Sequence, residues 1–364
     1  MFRVKIYGAG SIGNHLANAS RRLGWAVTVC DVNSAALARM RDEIYPSRYG
    51  AWDPAIELSS VAEAPRGGFD IIHIGTPPDS HIPLAIDALT EAPRALLIEK
   101  PLSPPDLARA DELSALATSG PTRVLVGYDH VVGKAMQELE RLLSSGVIGP
   151  VKTIDVEFRE HWGGIFAAHP WLSGPADSYL GFWRRGGGAS GEHSHAVNLW
   201  QHLAHVVGAG RVAEVAAMLN YVHDGQAHYD DLCLLSLRTE GGLSGRVVQD
   251  VVTRPHRKRA RIQGAEAALE WVNGYNARGD AVIVLRPGQP DEVIPVEKTR
   301  PDDFIWELQH IERLLKGEGP ALSPLDLSRG LDTMLVVAAA HQSEASGQRV
   351  RLDYARGDVP QANL

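Results

Sequence analysis

The residues able to do chemistry fall into three groups. The first is Gly8-Ala9-Gly10-Ser11-Ile12-Gly13, with an acid, Asp31, about twenty residues on. Glycines at this spacing allow a tight turn and let the positive N-terminus of a helix approach a pyrophosphate, while the acid accepts ribose hydroxyls. A carboxylate at Asp31 repels a 2′-phosphate, and Val32-Asn33-Ser34 offers no arginine to receive one. The pattern therefore favours NAD over NADP, with Gly8, Gly10, Ser11, Ile12, Gly13, Asp31, Val32 and Asn33 as the cofactor contacts. The second group is Glu99-Lys100-Pro101, which ends an apolar run. The third is Glu192 and His195, three apart and so on one face of a helix, a face that Asn198 continues. Oxidising an alcohol needs a group that takes the hydroxyl proton while hydride leaves the carbon. A partly desolvated lysine or a histidine suits that task.

These groups need elements to hold them. Val4 to Tyr7 is β-rich, Asn14 to Leu23 is helical and ended by Gly24, and Ala26 to Cys30 is a second strand, so the glycines lie between strand and helix. The alternation goes on. Asn33 to Glu43 reads as a helix, Ile71 to Ile74 as a strand, Ser80 to Leu89 as a helix, Ala95 to Ile98 as a strand, Leu107 to Ala117 as a helix and Arg123 to Val126 as a strand. Strands alternating with helices predict a parallel, doubly wound α/β sheet over residues 1–126, with ligands beyond its carboxyl strand ends. Gly8 to Gly13, Asp31, Thr76, Lys100 and Tyr128 all fall at such ends. After residue 126 the pattern turns β-rich, with alternation over Val151–Phe158, Ala213–Tyr221, Leu232–Leu237 and Leu243–Val252, further strands at Ala260–Ile262 and Ala281–Leu285, and a helix from Ala196 to Val207 between them.

The chain resembles the Gfo/Idh/MocA family of glucose–fructose oxidoreductase and inositol dehydrogenase-like enzymes. Four features in order carry the resemblance: the glycine fingerprint, the Gly75-Thr76-Pro77-Pro78-Asp79-Ser80-His81 segment, Glu99-Lys100-Pro101, and Gly186-Gly187-Gly188 followed by Glu192 to Asn198. It implies an N-terminal Rossmann domain and, over residues 127–364, an α+β substrate-binding and oligomerisation domain on a large, mostly antiparallel sheet. It adds Thr76, Pro77, His81, Glu99 and Lys100 to the cofactor contacts. It makes Lys100 and His195 the residues that handle the proton, with Glu192 orienting the substrate or the histidine. Asp129 and His130 stand in the segment leaving the Rossmann domain, where Val131 replaces a usual arginine. They join Lys100, Glu192 and His195 as substrate candidates. Trp162 and Trp183 offer aromatic faces for a sugar ring, and Arg185 a partner for an acidic substituent. The glycine run would let the chain approach a ligand closely. The implied activity is NAD-dependent oxidation of a hydroxyl on a sugar, sugar acid or cyclitol. Transient oxidation with retained cofactor (epimerisation, glycoside cleavage or sugar-to-sugar transfer) and a non-catalytic NAD-binding regulator are the alternatives. A homo-oligomer, dimer or tetramer, is also implied.

Composition narrows the rest. A net charge of −8 argues against a nucleic-acid partner, and the basic run Arg254–Arg259 reads instead as a charged strand end, one or two of whose side chains reach the site. Cys30 and Cys233 stand far apart without metal spacing, and His193 and His195, two apart, do not face each other on a helix, so no metal is expected. No apolar run approaches a membrane span, and a strand beginning near Met1 leaves no room for a signal peptide, so the expected location is the cytoplasm.

Overall fold

A computed structural model describes residues 1–167 and 169–354. The first domain runs β1 (Arg3–Tyr7), α1 (Ser11–Arg22), β2 (Ala26–Asp31), α2 (Ser34–Arg39), α3 (Tyr45–Tyr49), β3 (Ile56–Ser60), β4 (Ile71–Ile74), α4 (His81–Leu89), β5 (Ala95–Glu99), α5 (Ala110–Ser119) and β6 (Arg123–Gly127). Its strands are all parallel, in the order β3-β2-β1-β4-β5-β6. Central strands such as Ile71–Ile74 and Ala95–Glu99 are buried at every residue, which is why they read as nearly continuous apolar runs. The order reverses between β1 and β4. There the loops leaving the two strands touch, since a Cβ on Gly8 would lie 2.6 Å from the Gly75 carbonyl oxygen. Such a reversal is where doubly wound sheets open a ligand crevice.

Two local readings change. The edge strand β3 is absent from the sequence reading because Ile-Glu-Leu-Ser-Ser is short and half-exposed, and it is held by pairing with β2. The helix expected from Leu107 begins only at Ala110, because Leu107 and Arg109 take left-handed φ values of 54° and 62°.

The second half contains α6 (Lys134–Ser144), β7 (Val151–Arg159), α7 (Trp162–Ala167), α8 (Gly188–Glu192), α9 (His195–Val206), β8 (Val212–Asp224), β9 (Ala227–Thr239), β10 (Ser244–Asp250), β11 (Arg257–Gly264), β12 (Ala268–Asn276), β13 (Gly279–Leu285), β14 (Glu292–Glu297), α10 (Asp302–Leu315), α11 (Leu327–Ser346) and β15 (Val350–Arg351). Its sheet has the order β14-β13-β12-β11-β7-β10-β9-β8-β15, and only β7 and β10 pair in parallel. The expected large, mostly antiparallel sheet is therefore present. Strands β12 and β14 were hidden in the sequence by Gly274 and Pro295, the latter on an edge strand where a missing N–H is tolerated.

Helices α8, α9 and α11 pack on this sheet. Helix α10 instead packs on α1, with Phe304 stacked on His15 at a centroid distance of 4.6 Å. Val126 N–H donates to the Leu325 carbonyl at 2.8 Å, so the chain returns to the edge of the first sheet before α11 begins. Among the described residues no helix is long and apolar enough to cross a membrane.

Candidate active site

The glycine loop joins β1 to α1. A Cβ on Gly13 would stand 1.9 Å from the Gly8 carbonyl oxygen, so Gly13 lets helix and strand meet. A Cβ on Gly10 would meet no heavy atom within 4 Å, and Gly10 is the N-cap of α1. That unfilled space at a helix N-terminus is the shape a pyrophosphate needs. Asp31 ends β2. Its Oδ2 accepts the Ala9 N–H and its Oδ1 the Asn33 N–H, both at 2.8 Å, so the carboxylate braces the loop and still has lone pairs for ribose hydroxyls. Asn33 in turn caps α2, and Val32 is 88% exposed at the rim. Arg48, from α3, donates to the Ser11 carbonyl at 3.0 Å and to Ser11 Oγ at 2.9 Å, placing a cation beside the loop. No motif announces Arg48. Only the packing of α3 on α1 brings it there.

The loop after β4 presents Thr76 and the exposed Pro77. Thr76 Oγ1 is 2.7 Å from Ser80 Oγ. His81 lies beneath them, fully buried, with Nδ1 2.9 Å from the Pro101 carbonyl and Nε2 2.6 Å from the Thr76 carbonyl. Burial lowers it to about 4, so the ring is neutral and can donate to only one carbonyl at a time. The expected cofactor contact at His81 is therefore a clasp between two loops, one leaving β4 and one leaving β5.

Lys100 follows β5, and its bond to Pro101 is cis. Its Nζ donates to the Glu192 carbonyl at 3.0 Å and to the Glu192 carboxylate at 3.3 Å. Asp129 Oδ1 lies 3.8 Å from His195 Nδ1. Burial pushes the His195 imidazole well down, helped by the nearby His130 and Lys100, and the same burial pushes the Asp129 carboxyl up. Desolvation thus favours the neutral forms on both sides of this contact. The His195 ring also packs edge-on against Tyr128 and His130, at 5.6 and 4.8 Å, and lies along Phe158 at 6.1 Å. Under Lys100, Glu99 is buried and its carboxyl is raised to about 8, by desolvation and then by Asp129. Glu307 of α10 is wholly buried nearby with neither carboxylate oxygen partnered, and its carboxyl too is pushed well up.

The predicted helix face carrying Glu192, His195 and Asn198 is broken. Glu192 ends α8, His195 begins α9, and residues 193–194 form a turn between them. Glu192 and His195 still reach the same region, one through Lys100 and the other through Asp129. Asn198 is buried and donates to Thr333 Oγ1 at 3.1 Å, a core contact. The glycine run before α8 approaches protein, not open space: a Cβ on Gly187 would stand 2.1 Å from the Tyr179 carbonyl oxygen, and one on Gly188 2.0 Å from Asp230 Oδ1.

Trp162 is buried with Ile165, Leu180 and Tyr229, and Trp183 stacks on His341 at 4.4 Å. Trp162 is thereby closed to a sugar, while Trp183, stacked on one face, remains partly exposed. Arg185 donates to Asp79 at 2.7 Å and so ties the two domains together. Within the basic run, Arg257 and Arg259 pair with Glu157, and Lys258 pairs with Glu160 at 2.7 Å. Lys258 also stands 5.9 Å over the Phe158 ring, which lies along His195. Ligand atoms of Asp129, His130 and His195 come within 4.8 Å of one another.

Residues 2–128 match the model of an oxidoreductase family with an NAD-binding Rossmann fold, and residues 136–270 match the Gfo/Idh/MocA C-terminal domain. No curated protein matches the chain by sequence. Among solved structures, the WlbA dehydrogenase from Bordetella pertussis, in complex with NADH and UDP-GlcNAcA, superposes with a TM-score of 0.73 at 19% identity, covering 97% of this chain and 98% of that one. Levoglucosan dehydrogenase in complex with NADH gives 0.76 at 17% identity, covering 96% and 98%. A putative myo-inositol dehydrogenase from Sinorhizobium meliloti 1021 gives 0.72 at 20% identity, covering 96% and 99%. With open space at the N-cap Gly10, a carboxylate at Asp31 and a lysine–carboxylate pair beyond β5, the chain belongs to the Gfo/Idh/MocA family of NAD-binding oxidoreductases.

Proposed function

We propose that the protein oxidises a secondary hydroxyl of a sugar, sugar acid or cyclitol to a ketone. The observation that carries this reading is the meeting of Lys100, Glu192, Asp129 and His195 beyond the end of β5, in the cleft that the glycine loop enters from β1. NAD, when bound, supplies the hydride acceptor. Lys100, steadied by Glu192, meets the substrate oxygen as a hydrogen-bond donor and stabilises the negative charge that develops there. His195, held neutral by burial, takes the hydroxyl proton, and its Nδ1 faces Asp129 Oδ1 at 3.8 Å. The products are the ketone, NADH and one proton.

One feature supports the second reading, transient oxidation with retained cofactor. The segment between β7 and α8 is fastened to the first domain on both sides of the cleft, by Arg185 to Asp79 at 2.7 Å and by Arg39 over the Trp171 ring at 5.5 Å. Such straps would slow cofactor exchange. The homo-oligomer expected from the family is part of the same proposal. Its contact surface is the side of the large sheet away from α11, where Met218 is 65% exposed.

The test is NADH formation over a panel of sugars, uronic acids and inositols, with K100A alongside. Turnover that falls by about a hundredfold or more in K100A, with NADH binding intact by fluorescence titration, supports the dehydrogenase. Cofactor that copurifies, with product but no net NADH, selects the second reading. Equal turnover in K100A and the wild type overturns both.

A further inference from the structure

Asp230 lies on β9 and is fully buried. Its Oδ2 accepts the Ser190 N–H at 2.7 Å and its Oδ1 the Ser190 hydroxyl at 3.0 Å. Ser190 Oγ is also 3.1 Å from His341 Nε2, and His341 Nδ1 is 2.6 Å from the Tyr221 hydroxyl. A hydroxyl has one proton to give, and Asp230 in its ionised form, which it takes above about pH 7, only accepts. The chain of donors therefore has a direction. Tyr221 donates to His341, His341 to Ser190, and Ser190 twice to Asp230. Burial lowers His341 to about 3, which keeps it in the neutral form this order requires.

Ser190 belongs to α8, a five-residue helix of sequence Gly-Ala-Ser-Gly-Glu. So short a helix with two glycines has little stability of its own, and tertiary contacts must set its position. Those contacts converge on Ser190. Asp230 holds its N–H and hydroxyl, Gln249 Nε2 donates to its carbonyl at 3.3 Å, and Gly188 presses against Asp230. Two residues further on, the same helix ends in Glu192, whose carbonyl and carboxylate both hold Lys100 Nζ.

Resting on the dehydrogenase reading, we infer that Asp230 is a positioning residue, which anchors α8 so that Glu192 holds Lys100 at the substrate oxygen. An amide at this position accepts one Ser190 donor and turns its NH2 toward the other, so D230N breaks the anchor with little change in volume.

The experiment reads Lys100 directly, without a substrate. At about pH 8, where Asp230 is ionised, the full-length protein is acetylated with trace acetic anhydride, and the rate at Lys100 is taken by mass spectrometry relative to the exposed Lys152. E192Q removes the carboxylate and sets the scale, with Lys100 acetylated about fivefold faster as one charge-assisted contact is lost. D230N reproduces most of that rise, and S190A, which keeps the backbone N–H bond to Asp230, gives a smaller rise in the same direction. With a substrate from the panel, kcat in D230N falls about tenfold while the KM for NAD is unchanged. Lys100 labelling at the wild-type rate in D230N and S190A overturns the inference. So does a rise shared equally by Lys298, which would mark general loosening. If E192Q and D230N both speed labelling but no substrate turns over in any variant, the anchor stands and the catalytic reading fails.

Discussion

Two glycine runs reach the strand-end loops of the first sheet, and they differ at one position. The run at Gly8–Gly13 is packed at Gly8 and Gly13 but leaves space at Gly10, where nothing lies within 4 Å of where a side chain would begin. The run at Gly186–Gly191 is full, with carbonyl oxygens of Tyr179 and Gly186 and the Asp230 carboxylate standing where side chains would go. Each run is braced by a carboxylate that accepts two donors: Asp31 takes Ala9 and Asn33 N–H, and Asp230 takes the N–H and hydroxyl of Ser190. The difference is exposure. Asp31 is half-buried at the carboxyl end of β2, while Asp230 is sealed in the core. A glycine whose missing side chain leaves room at a helix N-terminus leaves that end open to a ligand. A glycine whose room is taken serves the fold.

The largest test of that contrast is substitution at the filled positions. G188A forces a methyl to 2.0 Å from Asp230 at a φ of 75°, so the variant should lose roughly 3 kcal/mol or more in urea unfolding. G13A, whose methyl would meet the Gly8 carbonyl at 1.9 Å, should lose as much. A G188A variant within about 1 kcal/mol of the wild type would show that this run is not a packing clasp.

The next test is the empty position. Gly10 has a φ of −79°, which alanine adopts freely, so G10A should melt like the wild type. Its methyl occupies the cradle, and NADH should bind about 10- to 100-fold more weakly by fluorescence titration. Unchanged NADH affinity in G10A would remove the basis for separating the two runs.

The smallest effect is one of pH. Burial raises the Asp230 carboxyl to about 7, against the two Ser190 bonds that lower it. An unfolded aspartate titrates near 4, so between about pH 4 and 7 the folded state keeps a proton that the unfolded state has lost. Stability therefore falls as pH rises through that window, by at most about 1.4 kcal/mol per unit from this group, and levels off above it. The stability gap between wild type and D230N should narrow as pH rises from 5 to 7. A gap that widens would place the ionised form as the favoured one in the fold.

The local parts of the site were legible. Gly8 to Asp31 is one contiguous β-α-β unit in which every functional position is fixed by spacing along the chain. The alternation after it announced the parallel sheet, and the β-rich second half announced the large one. What failed were readings that assumed a neighbourhood. Glu192, His195 and Asn198 were placed on one helix face, but the chain breaks at residues 193–194. His81 was placed against the cofactor and lies under its loop. Trp162 was offered to a sugar and packs on protein. Spacing gives direction only while the helix continues, and an aromatic or imidazole ring gives no local sign of what covers it.

The sequence by itself determined the nucleotide unit and the three groups of candidate residues, because each of those rests on a run of neighbours. Only the tertiary structure decided which of them meet. Lys100 and Glu192 are ninety-two residues apart, Ser190 and His341 one hundred and fifty-one, and Arg48 and Ser11 thirty-seven. The sheet orders and the packing of α3 on α1 and of α8 on β9 bring them together. Burial then sets their charge, holding His195 neutral and Asp230 near its midpoint, and burial is a property of the whole fold that no stretch of sequence carries.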